Sequence, residues 1–178
     1  MFHRRAVPFA RLLGALLLAT CLGSALASSP VAPPAGSPLL LQGMPLEAGP
    51  AFSLSSLRGQ VVLVYYWHTG CAVCLDKLPE LRANVTGWRN RPFTLVMVQV
   101  DHQREQAQRY WQVLMQAQPQ ARQGPVLWRD GPGFADNLHG EPQHWPLSVL
   151  VDTQGRVADS WEGRIPADAW DRIADLLP

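Results

Sequence analysis

The residues best suited to chemistry are Cys71 and Cys74, which are separated by Ala72 and Val73. Thiol–disulfide exchange needs a thiolate that attacks and a second thiol close enough to resolve the mixed disulfide. A disulfide between cysteines three positions apart closes a very short loop, so it stabilises a fold little through chain entropy. The spacing therefore favours redox chemistry over a structural crosslink.

The elements around the cysteines predict how they are positioned. Residues 61–67 are a continuous run of β-branched, aliphatic and aromatic side chains, typical of a strand buried on both faces. Residues 71–88 have apolar side chains at helical spacing, with Pro79 as a kink. Cys71 then lies at the helix N-terminus, where free amides and the helix dipole favour a negative sulfur, and Cys74 follows one turn later. We expect Cys71 to be the attacking nucleophile and Cys74 the resolving thiol, with Cα atoms roughly 5–6 Å apart.

Strands and helices alternate after the cysteines and end in a hairpin and a last helix. This order predicts an α/β fold with a parallel core and an antiparallel edge. Residues 39–60 add a small N-terminal hairpin in which Leu54 and Leu57 pack inward, and residues 131–140 are expected to be loop or one helical turn. The later elements are strands at 93–100, 125–128, 147–151 and 157–161, helices at 103–118 and 167–177, and a turn at 152–155.

The N-terminal 27 residues are typical of an export signal. A short basic region precedes the apolar run 12–22, and the small–x–small site ends at Ala27. The apolar run is about half of the roughly 20 residues that span a bilayer. We therefore expect cleavage near Ala27 and a periplasmic or extracytoplasmic protein. Cys21 leaves a second interpretation, a membrane-attached lipoprotein.

The rest of the chain predicts one linker and one domain. Residues 28–38 are rich in Ser, Pro, Ala and Gly and are expected to be a flexible linker, so the domain comprises 39–178. The chain has 15 Lys and Arg against 14 Asp and Glu, and its arginines are scattered. Without a basic stripe, no nucleic-acid partner is expected.

Taken together, the motifs resemble the extracytoplasmic thioredoxin-like proteins of the TlpA/ResA type. The resemblance implies a thioredoxin-like fold, in which a central mixed sheet is flanked by helices, and a thiol–disulfide oxidoreductase without a cofactor. It also implies protein substrates with cysteines or disulfides and a membrane electron donor or acceptor. The matching segments are Leu57–Gln60, the run 61–67, Cys71–Cys74, Pro79 and Trp145–Val157.

The resemblance also implies a substrate-binding role for Trp145 and Pro146. The family has a cis-proline at the position of Pro146, beside the cysteine pair, and the backbone of Trp145 would pair with an extended substrate chain. Trp145 is bulky for that position and is expected either to influence substrate choice or to cover the disulfide. Three residues depart from related patterns. Gly70 stands where the family commonly has a tryptophan, Lys77 where many reducing members have an acidic residue, and Tyr65 where classical thioredoxins have a buried aspartate.

Two residues are candidates for tuning the reactivity of Cys71. His68 lies three residues before it, and its protonated ring would lower the pKa of the thiol. Lys77 would favour a thiolate through its positive charge. Each also has a simpler interpretation. His68 would be a loop histidine with no catalytic role, and Lys77 would be an exposed lysine on the helix.

The direction of electron flow stays open at this stage. The resemblance favours a reductant, of the type used in cytochrome c maturation or metal-site assembly. Alternatives are a disulfide-forming oxidase or isomerase, and a copper-binding chaperone on the same fold, since His139 and His144 have metal-like spacing. No metal site is predicted. Peroxidase chemistry is disfavoured because His68 occupies the position where a threonine is usual.

Overall fold

The computed structural model describes residues 30–117 and 124–178. Its centre is a five-stranded mixed sheet with the order β5-β4-β3-β7-β8. The strands are β3 (Val61–Trp67), β4 (Phe93–Gln99), β5 (Val126–Trp128), β7 (Leu147–Val151) and β8 (Val157–Glu162).

Strand β3 lies in the middle of this sheet. It runs parallel to β4 over seven residue pairs, from Val61 beside Phe93 to Trp67 beside Gln99. On its other side it runs antiparallel to β7, and every residue of β3 is buried. The uninterrupted apolar run of β3 is therefore explained by two paired edges and two covered faces. The predicted central mixed sheet is confirmed.

All three helices contribute to the hydrophobic cluster on one face of this sheet. They are α1 (Ala72–Gly87), α2 (Arg104–Ala117) and α3 (Ala169–Leu176). They bury Leu81, Trp111 and Ile173 against alternate residues of β3, such as Leu63 and Tyr65. None of the helices in the described ranges is long and apolar enough to cross a membrane.

The other face of the sheet is covered by a smaller sheet with the order β2-β1-β6. Strands β1 (Leu41–Gly43) and β2 (Phe52–Ser53) form the expected hairpin, and a 3-10 helix with Leu54 buried follows it. The third strand, β6 (Ala135–Asp136), pairs with β1. The prediction of loop or one helical turn at 131–140 was wrong for these two residues, because a two-residue strand fixed by distant pairing has no periodic pattern, and the rest of the segment is loop.

The segment before the hairpin packs against the domain. Val31 and Ala32 are 6% and 2% exposed. The amide of Gly36 donates to the carbonyl of Val157 at 2.8 Å, and the amide of Val157 donates to the carbonyl of Ser37 at 2.8 Å. The expected flexible linker is therefore wrong for residues 31–38, which cover the sheet and continue its β8 edge. The predicted export signal and Cys21 lie outside the described residues.

Candidate active site

Cys71 and Cys74 form a disulfide at the junction of β3 and α1, with their Cα atoms 5.2 Å apart. Cys71 is the N-cap of α1, and its sulfur accepts the amide hydrogen of Cys74, with 3.0 Å between sulfur and nitrogen. Cys71 is 9% exposed and Cys74 is fully buried. An incoming reagent therefore reaches the sulfur of Cys71 first.

The amide of Cys74 has a direct chemical consequence for the reduced protein. The first amides of a helix lack carbonyl partners within the helix, and here one of them points at a sulfur atom. A hydrogen bond to the charged form of a group lowers its pKa, and the helix dipole acts in the same sense. With this geometry, the arrangement favours the thiolate of Cys71.

Trp145 and Pro146 lie at the same end of the sheet as the cysteines. Leu147, at the start of β7, pairs with Tyr66 near the end of β3, and Cys71 follows β3 after a short loop. The peptide bond between Trp145 and Pro146 is cis, as the resemblance implies. Within the described part of the chain, no hydrogen bond uses the backbone N–H or C=O of Trp145.

His68 and Trp145 are in contact across the mouth of the site. Their rings meet edge to face with centroids 5.7 Å apart. Gly70 is exposed, and a Cβ atom built on it would meet Nδ1 of His68 at 3.4 Å, an ordinary contact distance. The space beside Gly70 is thus bordered by the imidazole ring. The structure brings His68, Trp145, Pro146 and the cysteines to one end of the sheet.

A groove of about 690 Å³ opens beside this aromatic contact. One wall holds the ion pair between Arg129 and Glu141, with 2.6 Å between Nη1 and Oε1. The sequence analysis did not identify this groove, because its residues come from several loops far apart in the chain and share no local motif. It is lined by His68, Val100, Asp101, His102, Gln106, Arg129, Glu141 and Trp145.

Lys77 is buried, contrary to the expectation of an exposed helix lysine. Its side chain is 7% exposed, and its Nζ lies 2.6 Å from Oε2 of Glu80. The indole of Trp170 donates to the same carboxylate. The hydrogen bond from Lys77 is the main cause that lowers the pKa of Glu80. The ammonium of Lys77 is therefore engaged by Glu80, which the sequence analysis missed.

Tyr65 contacts the helix that carries the cysteines. Its hydroxyl donates to the backbone carbonyl of Cys74 at 3.0 Å, and its side chain is fully buried. Burial raises the pKa of the phenol far above its ordinary value. A neutral hydroxyl donor thus occupies the position at which classical thioredoxins have a buried aspartate.

The described residues include no group of three or more His, Cys, Asp and Glu side chains arranged to hold a metal ion. The backbone amide of His139 binds the carbonyl of Val31, and the carbonyl of His144 accepts the amide of Gly163 at 3.0 Å. His139, His144 and the two cysteines are thus not gathered into one such group in the described part of the chain.

Comparison with known proteins identifies the family. The sequence profile of the AhpC/TSA family matches residues 41–171. A search of curated proteins found no match. Among solved structures, a thiol:disulfide interchange protein of the thioredoxin family from Chlorobium tepidum is 26% identical, with a TM-score of 0.58 over 81% of this chain and 96% of that chain.

Two further structures share the fold at lower identity. A DsbF homologue from Corynebacterium diphtheriae is 20% identical, with a TM-score of 0.61 over 78% of this chain and 85% of that chain. An exposed lipoprotein thioredoxin from Streptococcus pneumoniae is 19% identical, with a TM-score of 0.57 over 77% of this chain and 99% of that chain. The chain therefore belongs to the AhpC/TSA family, as a thioredoxin-like thiol–disulfide oxidoreductase consistent with the TlpA/ResA type.

Proposed function

We propose that this protein is an extracytoplasmic oxidoreductase in which Cys71 attacks the substrate and Cys74 resolves the mixed disulfide. One observation carries the assignment of roles: the sulfur of Cys71 accepts the amide hydrogen of Cys74 at the start of α1. The difference in exposure supports it, since Cys71 is 9% exposed and Cys74 is fully buried. A stabilised thiolate on the more exposed of the two cysteines suits attack, and a fully covered thiol suits resolution.

The reaction takes place in two exchange steps. The thiolate of Cys71 attacks one sulfur of a substrate disulfide, the substrate S–S bond breaks, and the first substrate thiolate leaves and takes a proton. The thiol of Cys74 then loses its proton and attacks the sulfur of Cys71, which forms the Cys71–Cys74 disulfide and releases the second substrate thiolate. The second substrate thiolate also takes a proton. The substrate thus gains two electrons from the enzyme, and its two protons come from the thiol of Cys74 and from the solvent.

The substrate segment binds at Trp145 in this proposal. An extended chain next to the reacting cysteine pairs with the free N–H and C=O of Trp145, as a short added strand. Pro146, buried at the start of β7, holds this backbone segment beside the site. The indole of Trp145 borders the groove and contacts His68, so it selects the side chains that flank the substrate cysteine.

We further propose that the protein acts as a reductant after export. Its clients are protein thiols that must stay open, in cytochrome c maturation or metal-site assembly, and its electrons come from a membrane donor. The family resemblance supports this direction, and a disulfide-forming oxidase or isomerase is the alternative. Cleavage near Ala27 releases the domain, whereas lipidation of Cys21 would attach it to the membrane.

The reduction potential of the Cys71–Cys74 couple tests the direction. The full chain with Cys21→Ser, in which only the site cysteines remain, is equilibrated against a glutathione series. A value near that of thioredoxin, about −270 mV, is expected for a reductant, and a value near −120 mV contradicts the proposal in favour of an oxidant. Fractionation of cells that produce the wild type and Cys21→Ser tests location: an extracytoplasmic soluble product from both supports cleavage, and membrane attachment lost in Cys21→Ser contradicts it.

A further inference from the structure

The loop before Cys71 is held by a carboxylate from a different strand. Asp101 follows the carboxyl end of β4, and its side chain accepts the backbone amide of Thr69 at 3.2 Å and 3.1 Å through its two oxygens. It also accepts the hydroxyl of Thr69 at 2.7 Å. A third donor, the side-chain amide of Gln99, lies 3.0 Å from one of the carboxylate oxygens. One carboxylate thus collects four hydrogen bonds, three of them from a single loop residue.

Further hydrogen bonds hold both partners of the contact between Asp101 and Thr69. The hydroxyl of Thr69 accepts the side-chain amide of Gln106, from α2, at 2.9 Å. The indole of Trp128 donates to the backbone carbonyl of Asp101 at 2.7 Å. Asp101 is therefore itself fixed by β5, and Thr69 is fixed by β4 and by α2 together.

The loop has few other means of being held. Gly70, the residue after Thr69, has no side chain and is exposed. The amide of Cys71 donates to the carbonyl of His68 at 3.1 Å, which closes a tight turn around Thr69 and Gly70. Because Thr69 lies inside this turn and Cys71 ends it, the position of the sulfur depends on the position of Thr69.

We propose that Asp101 is a positioning residue, which acts through Thr69 to hold the sulfur of Cys71 on the amide of Cys74. The proposal rests on the proposed role of Cys71 as the attacking thiol. The hydrogen bond between that amide and the sulfur depends steeply on distance and angle. A loosened loop weakens it, the thiolate loses stabilisation, and the pKa of Cys71 rises.

The charge of Asp101 and its positioning role act on the pKa of Cys71 in opposite directions. The direction of the pKa change in a variant therefore tests the proposal. A nearby carboxylate disfavours a thiolate, so replacing Asp101 by Asn would lower the pKa of Cys71 if charge alone mattered. Positioning predicts a higher pKa in Asp101→Asn. It predicts the same change in Thr69→Val, which keeps the charge but removes the hydroxyl. Thr69→Ser retains the hydroxyl and is expected to behave as the wild type.

The experiment measures alkylation of the reduced protein by iodoacetamide against pH, in the full chain with Cys21→Ser. Mass spectrometry identifies the modified cysteine. We expect Asp101→Asn and Thr69→Val each to react at Cys71 at least fivefold more slowly below the thiol pKa, and at similar rates once the thiolate is fully formed. The double variant is expected to be no slower than the slower single variant, because both changes release the same contact.

Asp152→Asn is the matched control. Asp152 also accepts two backbone amides in a turn, from Gln154 at 2.9 Å and Arg156 at 2.8 Å, but it lies beyond the far end of β7. Unchanged alkylation in Asp101→Asn and Thr69→Val, or a faster reaction in Asp101→Asn, would overturn the positioning role. Alkylation of Cys74 instead of Cys71 in the parent protein would contradict the proposed function itself, so the two failures are distinguishable.

Discussion

Replacing Tyr65 by Phe is expected to destabilise the oxidised protein by about 1 kcal/mol. The change removes a buried hydroxyl that donates to the carbonyl of Cys74 at 3.0 Å and keeps the ring in the core. A carbonyl in an α-helix also accepts the amide four residues later, so this one retains a partner and the cost stays in the ordinary range for one hydrogen bond. For a domain of this size, the loss corresponds to a decrease in Tm of about 2–4 °C.

The pH dependence of Tyr65→Phe has a defined sign. Burial raises the pKa of the Tyr65 phenol above its value in the unfolded chain. The folded state therefore resists ionisation of Tyr65, and the wild type loses stability once pH rises above about 10, where the unfolded chain ionises. Phenylalanine has no such loss. The free-energy difference between wild type and variant is thus expected to be constant from pH 6 to 9 and to shrink above pH 10.

Urea unfolding of the two oxidised proteins at several pH values measures this difference. Tyr110→Phe provides a matched control, since Tyr110 is half-buried and its hydroxyl makes no hydrogen bond to any residue in the described ranges. Loss of the Tyr110 hydroxyl is expected to change the free energy of unfolding by less than about 0.5 kcal/mol. Equal stability of wild type and Tyr65→Phe at pH 7, or a cost that equals that of Tyr110→Phe, would refute the contact between Tyr65 and the active-site helix.

Three further substitutions have expected outcomes. His68→Ala is expected to raise the pKa of the Cys71 thiol, measured by alkylation against pH, because a positively charged imidazole in the loop before Cys71 would favour the thiolate. An unchanged pKa would show that His68 does not tune Cys71. Lys77→Met is expected to lower the free energy of unfolding by less than about 1 kcal/mol, since Glu80 is 41% exposed. The lowered pKa of Glu80 stabilises the wild type at neutral pH, and this stabilisation is lost as the pH falls below about 4.5. The free energies of unfolding of the wild type and Lys77→Met, measured in urea, should therefore converge in acid. A difference that widens in acid would contradict the ion pair. Ser148→Ala is expected to leave the free energy of unfolding in urea unchanged or to raise it by up to about 1 kcal/mol, because the buried hydroxyl of Ser148 has no partner in the described structure. A clear loss of stability would reveal a bond to that hydroxyl.

Much of the fold was predictable because it follows from continuous local patterns. The apolar run of β3, the helical spacing of α1 and the Asp152–Gly155 turn each extend over neighbouring residues, and each was found where the sequence indicated. The cysteines were identified by type and spacing within that frame, and Pro146 was identified through the family resemblance. Their arrangement at one end of the sheet then follows from the strand order.

What the sequence did not predict depends on contacts between distant segments. The pairing of Ala135–Asp136 with β1 and the packing of Val31 against the sheet leave no periodic signal. A lysine in a helix is usually expected to face the solvent. Lys77 is instead buried beside Glu80, which also accepts a hydrogen bond from Trp170 of α3. Asp101 lies just beyond a strand end, and its target, Thr69, is 32 residues earlier in the chain, so no local pattern connects the two residues.

Trapping of a mixed disulfide tests the central claim most directly. Full-length Cys74→Ala and Cys71→Ala variants, both with Cys21→Ser, are reduced and mixed with a small protein that has an exposed disulfide. The account predicts that Cys74→Ala accumulates a stable adduct joined through Cys71, as mapped by mass spectrometry, and that Cys71→Ala gives little or none because its remaining sulfur is buried. An adduct formed mainly through Cys74, or none from either variant, would contradict it.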